Sequence, residues 1–184
     1  MTQSKTLTCD CGQVTLDIQN NPIVSTECLC ADCQEAGAQL QALPGAKPLL
    51  DRHRATRFVL YRKDRVQCTQ GRDRLREHRL TPQSPTRRVV AVCCNTPIFL
   101  EFAKGHWLSL YGNLWPAGSL PALDLRTMTR DRPEGVDLPD DVPNPQTHNL
   151  SFMARLLFAW AAIGFRAPKI DYVQGALNRK ESGR

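Results

Sequence analysis

The sequence predicts a mainly β, metal-binding domain followed by a helical extension at its C-terminal end. Several short runs alternate apolar and polar residues with a period of two, which is typical of half-buried strands. Seven of the eight cysteines fall into three tight groups along the chain, and cysteine thiolates bind zinc tightly in tetrahedral sites. One apolar run near the C-terminus lies between a serine and a glycine, which are helix start and stop signals.

Size and composition favour a single domain with an extension. A chain of 184 residues, 41% of them hydrophobic, is long enough for one core and short for two, because a typical domain has about 100 to 150 residues. We expect a zinc-binding domain over residues 1–115, a proline-rich wrapping loop over 116–148, and a helix with a tail over 149–184. The first residues contain no apolar run of the kind a secretory signal needs. We therefore expect a cytoplasmic protein whose cysteines stay reduced and bind metal.

Strands are predicted, in chain order, over residues 7–18, 58–61, 66–69, around Leu75, 88–93 and 98–102. In the first of these, Val14, Leu16 and Ile18 share one side, and Gly12 supplies the backbone freedom of a tight turn. Residues 34–40 are expected to form a short helix or turn. The last two strands flank the third cysteine group, which is therefore predicted at a strand–turn–strand corner.

The C-terminal third of the chain is predicted to contain one helix. Residues 116–145 are rich in proline with little periodicity, so no regular structure is expected there. The helix is predicted over 151–164, with Ser151 as its cap and Gly164 at its end. It contains Arg155 and is shorter than the about 20 residues that cross a bilayer. We expect it to pack against the domain or a second subunit of a homodimer, with no membrane contact, and the polar tail over 169–184 to fray.

The second cysteine group is the candidate reactive site. Cys28, Cys30 and Cys33 lie at positions i, i+2 and i+5, a spacing that lets a looped backbone direct three sulfurs at one metal. The fourth tetrahedral position is then open to an incoming ligand. Three thiolates on a divalent zinc favour exchange with another thiol over the generation of hydroxide.

The first and third groups are candidates for a closed structural zinc site. Cys9, Cys11 and Cys94 would supply three sulfurs, with Cys93 as a possible fourth. Neighbouring residues of an extended strand point to opposite faces, so Cys93 and Cys94 share one metal only if the backbone turns there. The alternatives are that Cys93 reaches toward the three-cysteine group, forms a labile disulfide with Cys94, or is simply buried.

Residues 52–88 hold an excess of positive charge. This stretch contains twelve basic residues, Arg52, Arg54, Arg57, Arg62, Lys63, Arg65, Arg72, Arg74, Arg76, Arg79, Arg87 and Arg88, against Asp64, Asp73 and Glu77. Such a stretch attracts anions, either a small carboxylate or a polyphosphate backbone, although a solvated arginine-rich surface is the favoured explanation of a charge run alone. Cys68 is expected to be a small buried hydrophobe. The four histidines form no metal-binding spacing, and Trp107, Tyr111 and Trp115 are expected in the core.

The three cysteine groups resemble those of the glutathione-dependent formaldehyde-activating family, which includes centromere protein V. The resemblance rests on Cys9-Asp10-Cys11-Gly12, on Cys28-Leu29-Cys30-Ala31-Asp32-Cys33 followed by Gly37, and on Cys94 ahead of Thr96-Pro97. It covers roughly residues 7–102. It implies an Mss4-like zinc-binding fold of small antiparallel sheets, a catalytic zinc on Cys28, Cys30 and Cys33, and a structural zinc on Cys9, Cys11 and Cys94. The implied activity condenses formaldehyde with glutathione to S-hydroxymethylglutathione, a carbon–sulfur lyase reaction in reverse.

The third group departs from the family pattern, which is Cys-x-x-Cys-Gly. Ala91 stands at the first cysteine position, Cys93 is added beside Cys94, and Asn95 replaces the glycine. Asparagine tolerates a left-handed backbone better than most residues, so the turn can be kept. The departure suggests a divergent subgroup whose substrate need not be formaldehyde.

The sequence therefore predicts an enzyme of the carbon–sulfur lyase type with two zinc sites, acting on an adduct of glutathione or another thiol. Arg87 and Arg88 are the residues predicted to hold the carboxylates of the ligand by bidentate contacts. One alternative is a non-catalytic zinc module that binds nucleic acid or a protein through its basic surface. Another is thiol redox sensing through Cys93 and Cys94.

Overall fold

A computed structural model describes residues 4–177, and this part of the chain is mainly β, as the sequence predicts. The strands are β1 Ser4–Thr8, β2 Thr15–Gln19, β3 Val24–Cys28, β4 Thr56–Arg62, β5 Val66–Gln70, β6 Leu75–His78, β7 Thr86–Ala91, β8 Thr96–Phe102, β9 Trp107–Tyr111 and β10 Leu125–Thr127. The helices are α1 Ala31–Gln41 and α2 Leu150–Ala161, with 3-10 turns at Lys63–Arg65, Arg72–Arg74, Gly112–Leu114 and Thr129–Asp131.

The strands form two sheets. A three-stranded sheet has the order β1-β2-β5, and a seven-stranded sheet has the order β10-β3-β4-β9-β8-β7-β6. All neighbouring strands are antiparallel except β10 and β3, which are parallel. This arrangement of small, largely antiparallel sheets with a short C-terminal helix is consistent with the predicted Mss4-like fold.

The large sheet is buried on both faces because its strands alternate between two apolar clusters. In β4, Val59 and Tyr61 join the cluster shared with the three-stranded sheet, whereas Phe58 and Leu60 join the cluster on the opposite face. The first cluster takes Leu7, Leu16 and Ile18 from the small sheet. The second takes Leu40 from α1 and Phe152 and Leu156 from α2. The result is three layers: small sheet, large sheet, and helices.

A chain of buried and half-buried ion pairs runs along the outer strands of the large sheet. Lys63 Nζ lies 2.6 Å from Glu101 Oε1, and Arg87 Nε lies 2.6 Å from Glu101 Oε2. Arg87 also contacts Glu77 at 3.2 Å, and Arg79 contacts Glu77 at 3.0 Å. Three of the basic residues of the 52–88 stretch are therefore neutralised within the fold.

The proline-rich segment contains one strand, which differs from the expectation of no regular structure. Leu125–Thr127 pairs in parallel with Thr26–Cys28. The segment is held by Arg126, whose buried side chain contacts Glu27 at 2.8 Å and Asp141 at 2.6 Å. A three-residue strand between prolines has too little alternation to be recognised from sequence, because its position depends on these distant partners.

The first part of the tail is docked, so the expectation that it frays is wrong for residues 170–177. Its backbone runs along β6, with Gln174 N donating to Leu75 O, Glu77 N to Gly175 O, and Leu177 N to Glu77 O. Tyr172 packs against the core between the sheets. The rest of the predicted fraying segment, residues 178–184, lies outside the described residues.

Helix α2 spans Leu150–Ala161, so its N-cap lies two residues before the predicted cap and its last residue lies three residues before the predicted end at Gly164. The N-cap is Asn149, whose side chain accepts a hydrogen bond from the Phe152 backbone N–H at 2.9 Å, and not Ser151. Phe152 and Leu156 are buried against the large sheet, whereas Leu150 and Phe158 are exposed. Within residues 4–177, no helix is both long enough and apolar enough to cross a membrane.

The capping bond gives a direct test of where α2 begins. We expect Asn149→Ala to lower the free energy of unfolding by about 1 kcal/mol, because it leaves a first-turn N–H without its acceptor. The matched change Ser151→Ala removes a hydroxyl from inside the first turn and should leave stability unchanged. Urea denaturation of both variants measures the difference, and a larger loss for Ser151→Ala would contradict the assignment.

Candidate metal centres and the adjoining pocket

The structure brings four cysteine sulfurs from two distant turns into one cluster. Cys9 and Cys11 lie in the turn between β1 and β2, and Cys93 and Cys94 lie in the turn between β7 and β8. All four sulfurs lie within 4.8 Å of one another, with Cys9–Cys11 at 3.6 Å, Cys9–Cys93 at 3.8 Å and Cys93–Cys94 at 3.9 Å. A tetrahedral zinc site with Zn–S bonds of about 2.3 Å has S–S edges of about 3.8 Å. The cluster therefore fits a zinc ion.

A tight turn explains how adjacent cysteines can face one centre. Strand β7 ends at Ala91, so Cys93 and Cys94 are not in extended backbone. The Cys94 N–H donates to Ala91 O at 3.3 Å, and Asn95 adopts a left-handed conformation with φ of 55°. Asn95 thus takes the role that the family pattern gives to glycine. The turn directs Cys93 toward the four-cysteine cluster and away from the three-cysteine group.

Ala91 stands where the pattern described above has a cysteine, and Cys93 lies two positions later. Ala91 is fully buried and pairs with Leu75 and Thr96 in the sheet. Its methyl group packs in the core between the sheets. Cys93 supplies the fourth sulfur in its place, so the departure at Ala91 leaves the number of converging sulfurs at four.

The second cluster joins the end of β3 to the start of α1. Cys28 is the last residue of β3, Cys30 is the N-cap of α1, and Cys33 lies in its first turn. Their sulfurs lie within 4.8 Å of one another, with Cys28 and Cys30 at 3.5 Å. These distances fit three corners of a tetrahedral zinc site. The positive end of the helix dipole stabilises thiolates at this position.

The two clusters carry perturbed thiols. Hydrogen bonds from the Cys30 and Cys33 thiols hold the pKa of Cys28 well below its usual range. The hydrogen bond between Cys33 and Cys28 raises the pKa of Cys33 well above its usual range. Burial opposes ionisation of Cys94, but hydrogen bonds from the Thr96 hydroxyl and nearby backbone N–H groups lower its pKa to about 7. Each cluster therefore readily supplies a first thiolate, and a bound cation favours loss of the remaining thiol protons.

A pocket of about 590 Å³ adjoins the three-cysteine cluster on the helix-covered face of the large sheet. Its floor consists of alternate residues on five strands: Thr26 and Cys28 of β3, Phe58 and Leu60 of β4, Thr86 and Arg88 of β7, Leu100 and Phe102 of β8, and Trp107 and Ser109 of β9. Cys30, Asp32 and Cys33 line it from the start of α1, and Phe152, Met153 and Leu156 line it from α2. The spacing of two residues on every strand shows that the floor is one continuous sheet face.

Arg88 is a buried cation in this pocket. Its exposed fraction is 1%, and its Nη2 donates to the carbonyl oxygen of Asp32 at 3.1 Å. Its guanidinium also interacts with the Tyr111 hydroxyl. Within residues 4–177, its buried Nη1 has no hydrogen-bond partner and no carboxylate forms a salt bridge with it. A buried charge of this kind is costly unless an anion approaches it. The guanidinium is therefore positioned to bind an anionic group near the three sulfurs.

Arg87, the second predicted substrate-binding residue, lies outside the pocket. It follows the alternation of β7 to the opposite face, where it contacts Glu101 and Glu77 and donates through Nη2 to Ile170 O at 2.8 Å. Binding of a substrate carboxylate, which the sequence predicts for both arginines, therefore remains a proposal for Arg88. The N–H groups of Arg87 already bind Glu77, Glu101 and the Ile170 carbonyl oxygen.

The other sequence candidates are divided between core and pocket. Cys68 is completely buried in the core between the sheets, and Tyr111 and Trp115 are also core residues. Trp107, expected in the core, lines the pocket. His148 also lines it and stacks on Phe152 with ring centroids 4.8 Å apart. The sequence contains no spacing that could have identified His148, because its position follows from the docking of α2.

Comparisons with known proteins agree with the cysteine pattern of the first part of the chain. Residues 4–47, about a quarter of the chain, match the family model described as glutathione-dependent formaldehyde-activating enzyme. No curated protein matches the chain. Among solved structures, the chain is similar to the crystal structure of a Rhodobacter sphaeroides protein that was a Northeast Structural Genomics target. That match has 14% sequence identity and a TM-score of 0.46, and it covers 77% of this chain and 100% of the other.

Metal analysis of single variants tests the two clusters separately. We expect the native chain to bind about two zinc equivalents, and Cys93→Ser and Cys30→Ser each to lose about one, because each removes one sulfur from a different cluster. Cys68→Ala, which removes a cysteine outside both clusters, should keep the full content. Elemental analysis gives the stoichiometry, and thiolate charge-transfer bands after cobalt substitution report the ligand set. Full metal content in Cys93→Ser would contradict the four-sulfur cluster.

Proposed function

We propose, from the match of residues 4–47 to the family model described as glutathione-dependent formaldehyde-activating enzyme, that the chain is a zinc-dependent carbon–sulfur lyase-type enzyme acting on an adduct of glutathione or a related thiol. One observation carries the proposal. Three converging cysteine sulfurs adjoin a pocket that also contains a buried arginine with a free N–H donor. A closed structural site would need a fourth protein ligand and no pocket.

The reaction requires the formation or cleavage of one carbon–sulfur bond. In the forward direction the thiol sulfur adds to a carbonyl carbon, the carbonyl π bond breaks, and the thiol proton passes to the carbonyl oxygen. A zinc ion held by Cys28, Cys30 and Cys33 would supply an acidic position that favours the thiolate form of a sulfur ligand. The reverse reaction releases the thiol and the aldehyde.

The residues of the chain itself would bind and orient the adduct. Arg88 would hold a carboxylate of the thiol through the free Nη1 and so fix the sulfur relative to the cysteine cluster. The Asp32 carbonyl oxygen keeps the guanidinium in place through Nη2. The apolar side chains of Phe58, Leu60 and Leu100 would exclude bulk water from the reacting carbon.

The ion pairs of the basic 52–88 stretch do not favour the alternative, a module that binds nucleic acid. Of the twelve basic residues in the 52–88 stretch, Lys63, Arg79 and Arg87 are paired with Glu77 or Glu101. In addition, Arg62 contacts Asp64, and Arg88 is buried in the pocket. The stretch is therefore not one uninterrupted basic surface of the kind that tracks a phosphate backbone.

Turnover by the zinc-loaded protein is the primary test of the proposed function. We expect it to accelerate the formation of a hemithioacetal from glutathione and an aldehyde, and Cys30→Ser to abolish this activity by removing one sulfur of the open cluster. Absence of both turnover and binding for glutathione with a series of aldehydes would overturn the proposal.

The neighbouring arginines provide a matched test of the carboxylate contact. We expect Arg88→Lys to raise KM for glutathione by about tenfold with little change in kcat, because lysine keeps the charge but loses the fixed N–H geometry. Arg87→Lys, one residue away but outside the pocket, should leave KM unchanged. With 2-mercaptoethanol, which has no carboxylate, neither variant should differ from the native protein. Equal effects of Arg88→Lys on both thiols would contradict the role of Arg88.

A further inference from the structure

We propose that the thiol adduct handled in this pocket carries a bulky apolar group, such as an aromatic ring or a branched alkyl chain, in place of the single carbon of formaldehyde. This inference rests on the proposed function and specifies its substrate class. It follows from the side chains that line the pocket and from the exposure of two of them.

The walls of the pocket are mainly apolar, whereas the one-carbon group of the formaldehyde adduct has little apolar surface to place against them. Its polar lining consists of the cysteines, Arg88, Asp32, Asp131, His148 and a few hydroxyl groups. The larger part of its walls is apolar and comes from Phe58, Leu60, Leu100, Phe102, Trp107, Phe152, Met153 and Leu156. A volume of about 590 Å³ lies in the range of pockets that enclose organic ligands of drug size. An apolar group placed against these walls would lose no hydrogen bonds to water and would cover apolar surface.

Two apolar residues of the pocket are strongly exposed. Phe102, on β8, is 41% exposed, and Met153, on α2, is 52% exposed. They belong to opposite walls, one on the sheet and one on the helix, and both line the same pocket. A ligand with an apolar group between them would remove their surfaces from water, which is favourable in proportion to the area covered. The adduct of formaldehyde has no group to place there.

The unpaired donor of Arg88 complements the apolar walls. Among the described residues that line the pocket, Arg88 is the single arginine or lysine. One carboxylate of the thiol can therefore be bound near the cysteine sulfurs, while most of the remaining lining is available for apolar contacts. An adduct with a charged end and an apolar end matches this distribution.

Two unreactive thioethers test this inference without catalysis. S-benzylglutathione and S-methylglutathione differ only in the group attached to sulfur. Calorimetric titration of the zinc-loaded protein should give at least about tenfold tighter binding for the benzyl compound, because a ring buries far more apolar area than a methyl group.

A pair of substitutions on α2 provides the control. Met153→Ala should weaken binding of the benzyl compound by about fivefold and leave the methyl compound unchanged. Leu157→Ala lies one turn further along the helix and is 54% exposed, but it does not line the pocket. It should affect neither compound. Because both side chains are half exposed, the two variants should be similarly stable.

The outcomes separate the inference from the proposed function. Equal affinity for the two thioethers would overturn the inference and leave the lyase-type activity intact. Binding of neither thioether, with turnover of formaldehyde and glutathione retained, would overturn it as well. Absence of both thioether binding and turnover of formaldehyde with glutathione would contradict the proposed function as well as this inference.

Discussion

The alternation of side chains along the strands of the seven-stranded sheet is the constraint on which the rest of the structure depends. Every residue of a strand faces either the small sheet or the helices, and its neighbours face the other way. In β7, Val89 and Ala91 fill the core between the sheets while Arg88 reaches the pocket and Arg87 the ion pairs. A shift of this strand by one residue would exchange these environments. The pairing register of β7 with its neighbours therefore determines both which residues line the pocket and which fill the core.

The four-cysteine cluster adds a second connection between distant parts of the chain. It joins the turn after β1 to the turn after β7, which are separated by more than eighty residues in sequence. Cys93 can supply the fourth sulfur because the backbone reverses through Asn95. The buried methyl group of Ala91 then completes the apolar packing. Four sulfurs therefore converge although Ala91 stands where the pattern that the chain resembles has a cysteine.

Local signals explain which features could be predicted from the sequence. The cysteine groups, the alternation of Val14, Leu16 and Ile18, and the corner around Cys94 depend on neighbouring residues, and the structure contains them. The contrast between Arg87 and Arg88 could not be predicted, because it requires knowing which face of β7 carries the pocket. The pocket walls, the strand Leu125–Thr127 and the capping role of Asn149 depend equally on contacts between distant segments. Patterns of neighbouring residues in the sequence predict individual strands and helices. Which side chains line the pocket depends on the order of the strands in the sheet, which those patterns do not give.

The docked segment 170–177 has a consequence for how the molecule behaves at high concentration. An outermost strand normally presents unpaired backbone groups that can recruit a strand of another molecule and begin aggregation. Here β6 donates to and accepts from the segment through Leu75 and Glu77, and at the opposite margin β10 is only three residues long. Loss of this segment would expose β6 as a template for intermolecular pairing while leaving the pocket residues in place. By covering β6, segment 170–177 would therefore limit aggregation, a role separate from the chemistry carried by the cysteines.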